Sequence, residues 1–191
     1  MSDPVGHHRT PRIAVYAGVF DPPTMAHLEI IESALRIFDE VVVVVSFNPN
    51  KATAIFSPED RVQMLDASLS DEIRPRVRVA AHAGLTALYA DSVGACALVR
   101  GMRPYADADS EIALALMNQK LAPQIPTVLL VTSATNVYLS SSFVRETATL
   151  GGMIVPGTVP PPVEAALRKR FGSQLADGAH TARQTEREST S

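Results

Sequence analysis

The chain has 191 residues, enough for one domain with a substantial core, and its hydrophobic fraction of 46% is ordinary for a globular protein. A formal net charge of −3 gives no reason to expect nucleic acid as a partner, and the sequence lacks the run of about 18 apolar residues that a membrane helix needs. Cys96 is the single cysteine, so no intrachain disulfide forms, and residues 1–11 carry no apolar signal segment; both point to a reducing cytoplasm.

The apolar run Ile13–Ala17 reads as a buried strand. It is followed by the turn Gly18-Val-Phe-Asp-Pro-Pro23 and by a helix over Met25–Phe38 with apolar residues at helical spacing. Glu40–Phe47 is a valine-rich second strand. Ser57-Pro58-Glu59-Asp60 starts a helix over Pro58–Ser68, with Ser as N-cap, Pro first and acids in the first turn. Further strands are expected at Arg76–Ala80, Ala95–Val99 and Thr127–Val131, and helices at Leu85–Ser92, Asp107–Leu121, Ser142–Leu150 and Pro161–Phe171. Cys96 falls inside the fourth strand and is expected to be buried and inert.

Strands without clean polar alternation imply burial on both faces, hence a parallel sheet covered by helices. The expected fold is a Rossmann-like single α/β domain over 12–171, with a five-stranded parallel sheet and helices on both faces. Residues 1–11 and the polar stretch 172–191 are expected to be disordered tails. The dinucleotide and P-loop glycine patterns are absent, which counts against a dehydrogenase and a P-loop NTPase.

A strand, a Gly/Pro turn and a helix start carrying Thr24 and His27 make an anion site, because free N–H groups and the positive end of the dipole face the turn. Read alone, a histidine at a helix start is ordinarily bonded to its own turn. Lys51, after Asn48-Pro-Asn50, stands at the end of the second strand, where parallel folds bind ligands. Arg100-Gly-Met-Arg103 follows the fourth strand; its glycine permits close approach, and arginine can bind a phosphate at two points. Glu111 lies in an acidic first helical turn, where acids belong for the dipole alone. Ser140-Ser-Ser142 opens a helix and offers a second anion site. His7, His8, His82 and His180 have no ligand-like spacing with acids or cysteines, so no protein metal site is expected.

Gly18-x-Phe20-Asp-Pro with Thr24-x-x-His27 resembles the T/H-x-G-H signature of the nucleotidyltransferase superfamily. With Asn48-Pro-Asn-Lys51, Val99-Arg-Gly-Met-Arg103, Glu111 and Ser140–Ser142 in the same order, the chain resembles the bacterial phosphopantetheine adenylyltransferases from about Arg12 to Phe171. The resemblance implies transfer of the adenylyl group of ATP to 4′-phosphopantetheine, giving dephospho-coenzyme A and pyrophosphate. It implies catalytic roles for His27, Lys51 and Arg103, and phosphopantetheine binding by Val19, Lys51, Thr86 and Arg100. For ATP it implies Val19, Phe20, Thr24 and His27 in the first motif, Gly101, Met102 and Arg103 in the second, then Glu111. The last ATP segment would be Asn136, Val137, Tyr138, Leu139, Ser140, Ser141 and Ser142. Magnesium is expected to arrive with ATP, coenzyme A is a candidate inhibitor, and the family is commonly hexameric. No nucleic-acid or membrane partner is expected.

Two positions depart from the pattern. Val19 replaces a hydroxyl residue that contacts the pantetheine phosphate, and Ala26 replaces the signature glycine. The direction of the Ala26 methyl, toward the nucleotide or away, stays open at this level. The turn also resembles that of the nicotinamide and nicotinate mononucleotide adenylyltransferases, which typically have His where Thr24 stands. A low-activity paralogue that binds nucleotide or coenzyme A is the third reading.

Overall fold

The computed structural model describes residues 9–50, 54–103, 107–150 and 152–172. Lys51, His7, His8, His180 and the C-terminal stretch from residue 173 lie outside the described residues. The elements are β1 (Ile13–Gly18), α1 (Met25–Leu35), β2 (Glu40–Ser46), α2 (Pro58–Ser68), β3 (Val77–His82), α3 (Thr86–Ser92), β4 (Ala97–Met102), α4 (Ala108–Leu121), β5 (Thr127–Val131) and α5 (Ser141–Thr149). A further helical stretch, α6, covers 161–172.

The strands form one parallel sheet in the order β3-β2-β1-β4-β5. Alternation along each strand sends side chains to two separate cores. Ala14, Tyr16, Val41, Val43, Val45, Ala97 and Val99 pack with Leu28, Ile30 and Ile31 of α1 and Leu65 of α2. Val15, Ala17, Val42, Val44 and Leu98 pack on the other face with Ala87 and Ala90 of α3, Ala122 and Ile125. Burial on both faces is why the valine runs show no polar alternation. A third cluster joins Phe56 and Met64 to Val144, Val163 and Leu167, tying α2, α5 and α6 together.

The N-cap of α2 forms as its sequence requires: Ser57 Oγ accepts from the Asp60 amide at 3.0 Å, and Asp60 accepts in return from the Ser57 amide at 3.2 Å. The N-terminal stretch is not wholly detached, since Arg9 pairs with Asp39 at 2.8 Å.

Two expectations are corrected. The fourth strand begins and ends later than expected, at Ala97 and Met102 rather than Ala95 and Val99. The Ala95 amide instead donates to Ala90 to close α3 at 3.0 Å, while Arg100, Gly101 and Met102 pair with Leu129, Leu130 and Val131. Arg100 and Gly101 therefore sit in the ladder, not in a loop beyond it. Cys96, just before the strand, is exposed rather than buried.

Order reversal places the switch point between β1 and β4, whose C-terminal ends diverge to open a crevice, the position where open α/β sheets bind ligands.

Candidate active site

The crevice is lined on the β1 side by Tyr16 through Phe20, on α1 by Ala26, His27 and Ile30, and on β4 and α4 by Arg100, Gly101, Arg103, Asp107 and Glu111. Thr132, Leu139, Ser140 and Ser141 complete the wall. Two helix N-termini, those of α1 and α5, thus border one cavity.

The turn after β1 is strapped from several directions. Arg61, almost fully buried, donates from Nη1 to the Val19 carbonyl at 2.8 Å. The buried Asp21 carboxylate accepts from the Ile55 and Phe56 amides at 2.9 and 3.0 Å. Arg145 donates to the Asp21 carbonyl, and Ser141 Oγ to the Pro22 carbonyl at 2.8 Å. These ties hold Phe20 at φ 50°, a left-handed conformation that costs a bulky L-residue about 1–3 kcal/mol. The Phe20 ring is buried edge-on between Tyr16 and His27, with centroids 5.3 and 5.0 Å away. Val19 projects its side chain outward, 58% exposed at the mouth of the cavity.

Thr24 is the N-cap of α1 and is fully buried. Its amide donates to His27 Nδ1 at 2.9 Å, with its Oγ1 3.1 Å from the same nitrogen. A ring nitrogen that accepts a backbone N–H is unprotonated, so neutral His27 carries its proton on Nε2. Burial, then the nearby Arg100 and Arg103 charges, lower the His27 pKa to about 4. The site therefore holds a neutral imidazole donor at pH 7.

The helix N-terminus is also less vacant than expected. Met25 donates to the Thr158 carbonyl at 3.0 Å, and the His27 and Leu28 amides to the Thr24 carbonyl. The Ala26 amide is left, among the described residues, as the first-turn donor not used by the fold. Ala26 itself is 6% exposed and forms part of the cavity wall, so any ligand close to that amide also meets its methyl.

Across the cavity, Arg100 grips Glu111 at two points, Nε to Oε2 at 2.7 Å and Nη2 to Oε1 at 2.8 Å, and also donates to the Ala17 carbonyl of β1. Burial opposes the Arg100 charge, but Glu111 outweighs it and the pKa is raised. Arg103 grips Asp107 in the same bidentate way, with both bonds at 2.7 Å. The Arg103 bond holds Asp107 below the usual carboxylate range. Gly101 sits in a tight packing position: a Cβ there would lie 3.0 Å from Ile30 Cγ1 and 3.5 Å from the Tyr16 hydroxyl, so Ile30 would have to give by a few tenths of an ångström. The glycine thus brings β4 close to α1.

The serine hydroxyls are largely engaged. Ser140 Oγ caps α5 by accepting from Phe143 at 3.0 Å, Ser141 Oγ ties to Pro22, and Ser142 Oγ accepts from Arg145 at 3.0 Å. An anion at this helix start would meet backbone amides more than hydroxyls. Asn136 donates its side-chain amide to Glu29 at 2.7 Å, and Ser133 donates to Glu29 through both backbone and hydroxyl, at 2.7 and 3.1 Å. Glu29 thereby pins the segment that leads into Ser140.

Of the residues proposed from sequence, the structure gathers Val19, Phe20, His27, Arg100, Gly101, Arg103, Glu111, Leu139, Ser140 and Ser141 around the cavity. Thr24, bonded to His27 Nδ1, Met102 at the end of β4, and Asn136, bonded to Glu29, do not line it. Val137, Tyr138 (82% exposed), Ser142 and Thr86 at the start of α3 do not line it. Arg61, Glu29, Arg145 and Thr132 carry no sequence pattern that marks them for the site; Arg61, Glu29 and Arg145 are joined to it by contacts 42, 104 and 124 positions away in the chain.

The cytidylyltransferase-like family model matches residues 15–147. A phosphopantetheine adenylyltransferase of Desulforudis audaxviator is 47% identical over 161 residues, 84% of this chain and 96% of its own. One from Roseiflexus sp. is 48% identical over 160 residues, 84% of this chain and 98% of its own. A bifunctional NMN adenylyltransferase/ADP ribose pyrophosphatase from Francisella tularensis shares the fold with a TM-score of 0.60 at 16% identity, covering 95% of this chain and 57% of its own. A signature turn, a half-buried histidine and paired arginines at the switch point agree with the sequence relationship: the chain belongs to the cytidylyltransferase-like family and, within it, to the phosphopantetheine adenylyltransferases.

Proposed function

We propose that the crevice transfers the adenylyl group of ATP to 4′-phosphopantetheine, releasing pyrophosphate and dephospho-coenzyme A, a step of coenzyme A biosynthesis. A terminal phosphate oxygen of phosphopantetheine attacks the α-phosphorus in line; that P–O bond forms as the bond to the β-phosphate oxygen breaks. A phosphate monoester is already ionised at neutral pH, so the step needs positioning and charge stabilisation rather than a general base. The convergence of Arg100, Arg103, the His27 Nε2–H and two helix starts on one cavity is the observation that carries the reading.

His27 donates from Nε2 to a non-bridging α-phosphate oxygen. Arg103 binds the polyphosphate, and Arg100 and Lys51 receive the phosphate of phosphopantetheine. Magnesium enters with ATP. The carboxylates lining the cavity, Asp107 and Glu111, are both held by arginines, which suits an ion kept by phosphate oxygens and water. Coenzyme A, sharing the phosphopantetheine arm, would compete at the same site.

Self-association, with the hexamer of the family as the expected state, is supported by α4. Its Ile112, Leu116 and Met117 are about half exposed, while Asn118 is its buried residue. With Val131 on the edge strand, they leave an apolar surface of the kind that marks interfaces. Light scattering of the purified chain tests this; a monomer would overturn it. Among the described residues no helix is long and apolar enough to cross a membrane.

Pyrophosphate release from MgATP, measured with 4′-phosphopantetheine and with nicotinamide and nicotinate mononucleotides, tests the reaction. Release with phosphopantetheine alone is expected. Release only with a mononucleotide overturns the acceptor, and binding without release overturns the activity.

A further inference from the structure

The connection from β5 to α5, residues 132–140, has neither helix nor strand to fix it, yet it ends in Leu139 and Ser140, which line the reaction cavity. The Thr132 amide donates to the Met102 carbonyl at 3.2 Å. Beyond that point the Asn136 and Leu139 amides bond only within the segment, to the carbonyls of Ser133 and Asn136. The tie to the rest of the fold therefore falls to side chains.

A single side chain supplies it. Among the described residues, Glu29 of α1 makes every hydrogen bond that joins 133–139 to the rest of the protein. Its Oε1 accepts from the Ser133 amide at 2.7 Å. Its Oε2 accepts from the Asn136 side-chain amide at 2.7 Å and from the Ser133 hydroxyl at 3.1 Å. Glu29 makes no ion pair among the described residues, so these donors, not a cation, meet its charge. Hydrogen bonds to an ionised group are roughly twice as strong as neutral ones.

The place of Glu29 on α1 gives these bonds a functional meaning. It stands two residues after His27 on the same helix. One rigid element thus sets the imidazole in the cavity wall and, through Glu29, the chain that delivers Leu139 and Ser140 to the same cavity. At the far end Ser141 Oγ donates to the Pro22 carbonyl of the signature turn at 2.8 Å. Asn136, which the family resemblance puts in contact with ATP, reaches Glu29 instead and serves the nucleotide through that carboxylate.

We propose that Glu29 is a positioning residue for the nucleotide: it touches no substrate, and it sets the distance between His27 and the Leu139–Ser141 wall. This rests on the adenylyl-transfer reading above. Phosphopantetheine, received by Arg100 and Lys51, does not depend on that wall.

The test compares the full-length wild type with Glu29→Gln, Asn136→Asp and the double variant. Glu29→Gln keeps the shape and leaves one acceptor oxygen where the carboxylate has two. Asn136→Asp sets two carboxylates against each other. In the double variant the new amide at position 29 donates to the new carboxylate at 136, while its oxygen still accepts from Ser133. The tie returns with its roles exchanged.

Glu29→Gln should raise the KM for ATP roughly five- to tenfold, and Asn136→Asp by more, with the KM for phosphopantetheine near that of the wild type in both. The double variant should bring the KM for ATP back to within about twofold of the wild type. An unchanged KM for ATP in both single variants, an equal rise for the two substrates, or a double variant no better than Asn136→Asp each overturns the assignment. A melting temperature that falls and is rescued while the KM for ATP never moves also overturns it, since the tie would then serve the fold alone. A wild type that binds ATP but releases no pyrophosphate overturns the adenylyl-transfer reading alone; calorimetric ATP affinities of the same proteins then decide the Glu29 assignment.

Discussion

Arg61 donates from Nη1 to the carbonyl oxygen of Val19 at 2.8 Å, joining residues 42 positions apart. In a trans peptide the carbonyl and the following N–H point in opposite directions. Drawing the Val19 carbonyl toward the buried Arg61 therefore turns the Phe20 amide the opposite way. That matters in this chain because Val19 has no hydroxyl with which to hold a phosphate. Arg61→Met keeps the buried stem and removes the donor. The lost charged hydrogen bond, about 1.5–3 kcal/mol, should lower the melting temperature by roughly 3–10 °C. It should also reduce kcat/KM about tenfold or more. A lower melting temperature with full activity would show that Arg61 supports the fold alone.

Asp107 occupies both of the Arg103 donors that a bidentate phosphate would use. ATP must share or displace this carboxylate, and the cavity of about 250 Å³ with the pair closed is small for a nucleotide. Asp107→Asn keeps an acceptor and removes the competing charge. The KM for ATP should fall about two- to tenfold at low salt, with the gain shrinking as ionic strength rises. A raised KM would mean that the carboxylate serves chiefly to aim Arg103.

The neutral state of His27 has a consequence for pH. Its pKa is near 4 in the folded protein and 6.5 in a model peptide. Between those values the unfolded chain binds more protons, so stability rises with pH across the window. The contribution is fully present above about 6.5 and is lost as pH falls toward 4; its size is on the order of 3 kcal/mol. Thermal melts of ligand-free protein should show this decline, and His27→Gln should flatten it. The same variant should lose turnover sharply with modest loss of ATP binding. An unchanged melting profile would contradict the buried neutral imidazole.

Val19 and Ala26 differ in what reversal should bring. Val19 is exposed at the cavity mouth, so Val19→Thr adds a hydroxyl at no packing cost and should lower the KM for phosphopantetheine several-fold. Ala26 is buried in the cavity wall, inside α1. Ala26→Gly should ease ATP approach but destabilise the helix by about 1 kcal/mol. Steady-state kinetics beside thermal melts separate the two effects; an Ala26→Gly enzyme with unchanged ATP kinetics would show that the methyl never meets the nucleotide.

The sequence by itself determined the class of fold, because buried valine runs alternating with amphipathic segments admit few arrangements other than a covered parallel sheet. It determined the helix start at Ser57 and Pro58, whose capping uses residues three apart. It also determined the family, since the signature turn, the Arg100–Arg103 segment and the serine run stand in one order. Tertiary structure decided the chemical state of those groups. His27 is neutral because the fold buries it beside two arginines and gives its Nδ1 the Thr24 amide. The Ser141 hydroxyl is engaged because α5 docks on Pro22, 119 positions away. The inclusion of Arg100 in the ladder follows from pairing with β5, which no local window contains. Periodicity and caps act over a few residues and can be read along the chain. Burial, charge proximity and the fate of each polar atom depend on what folding brings from far away.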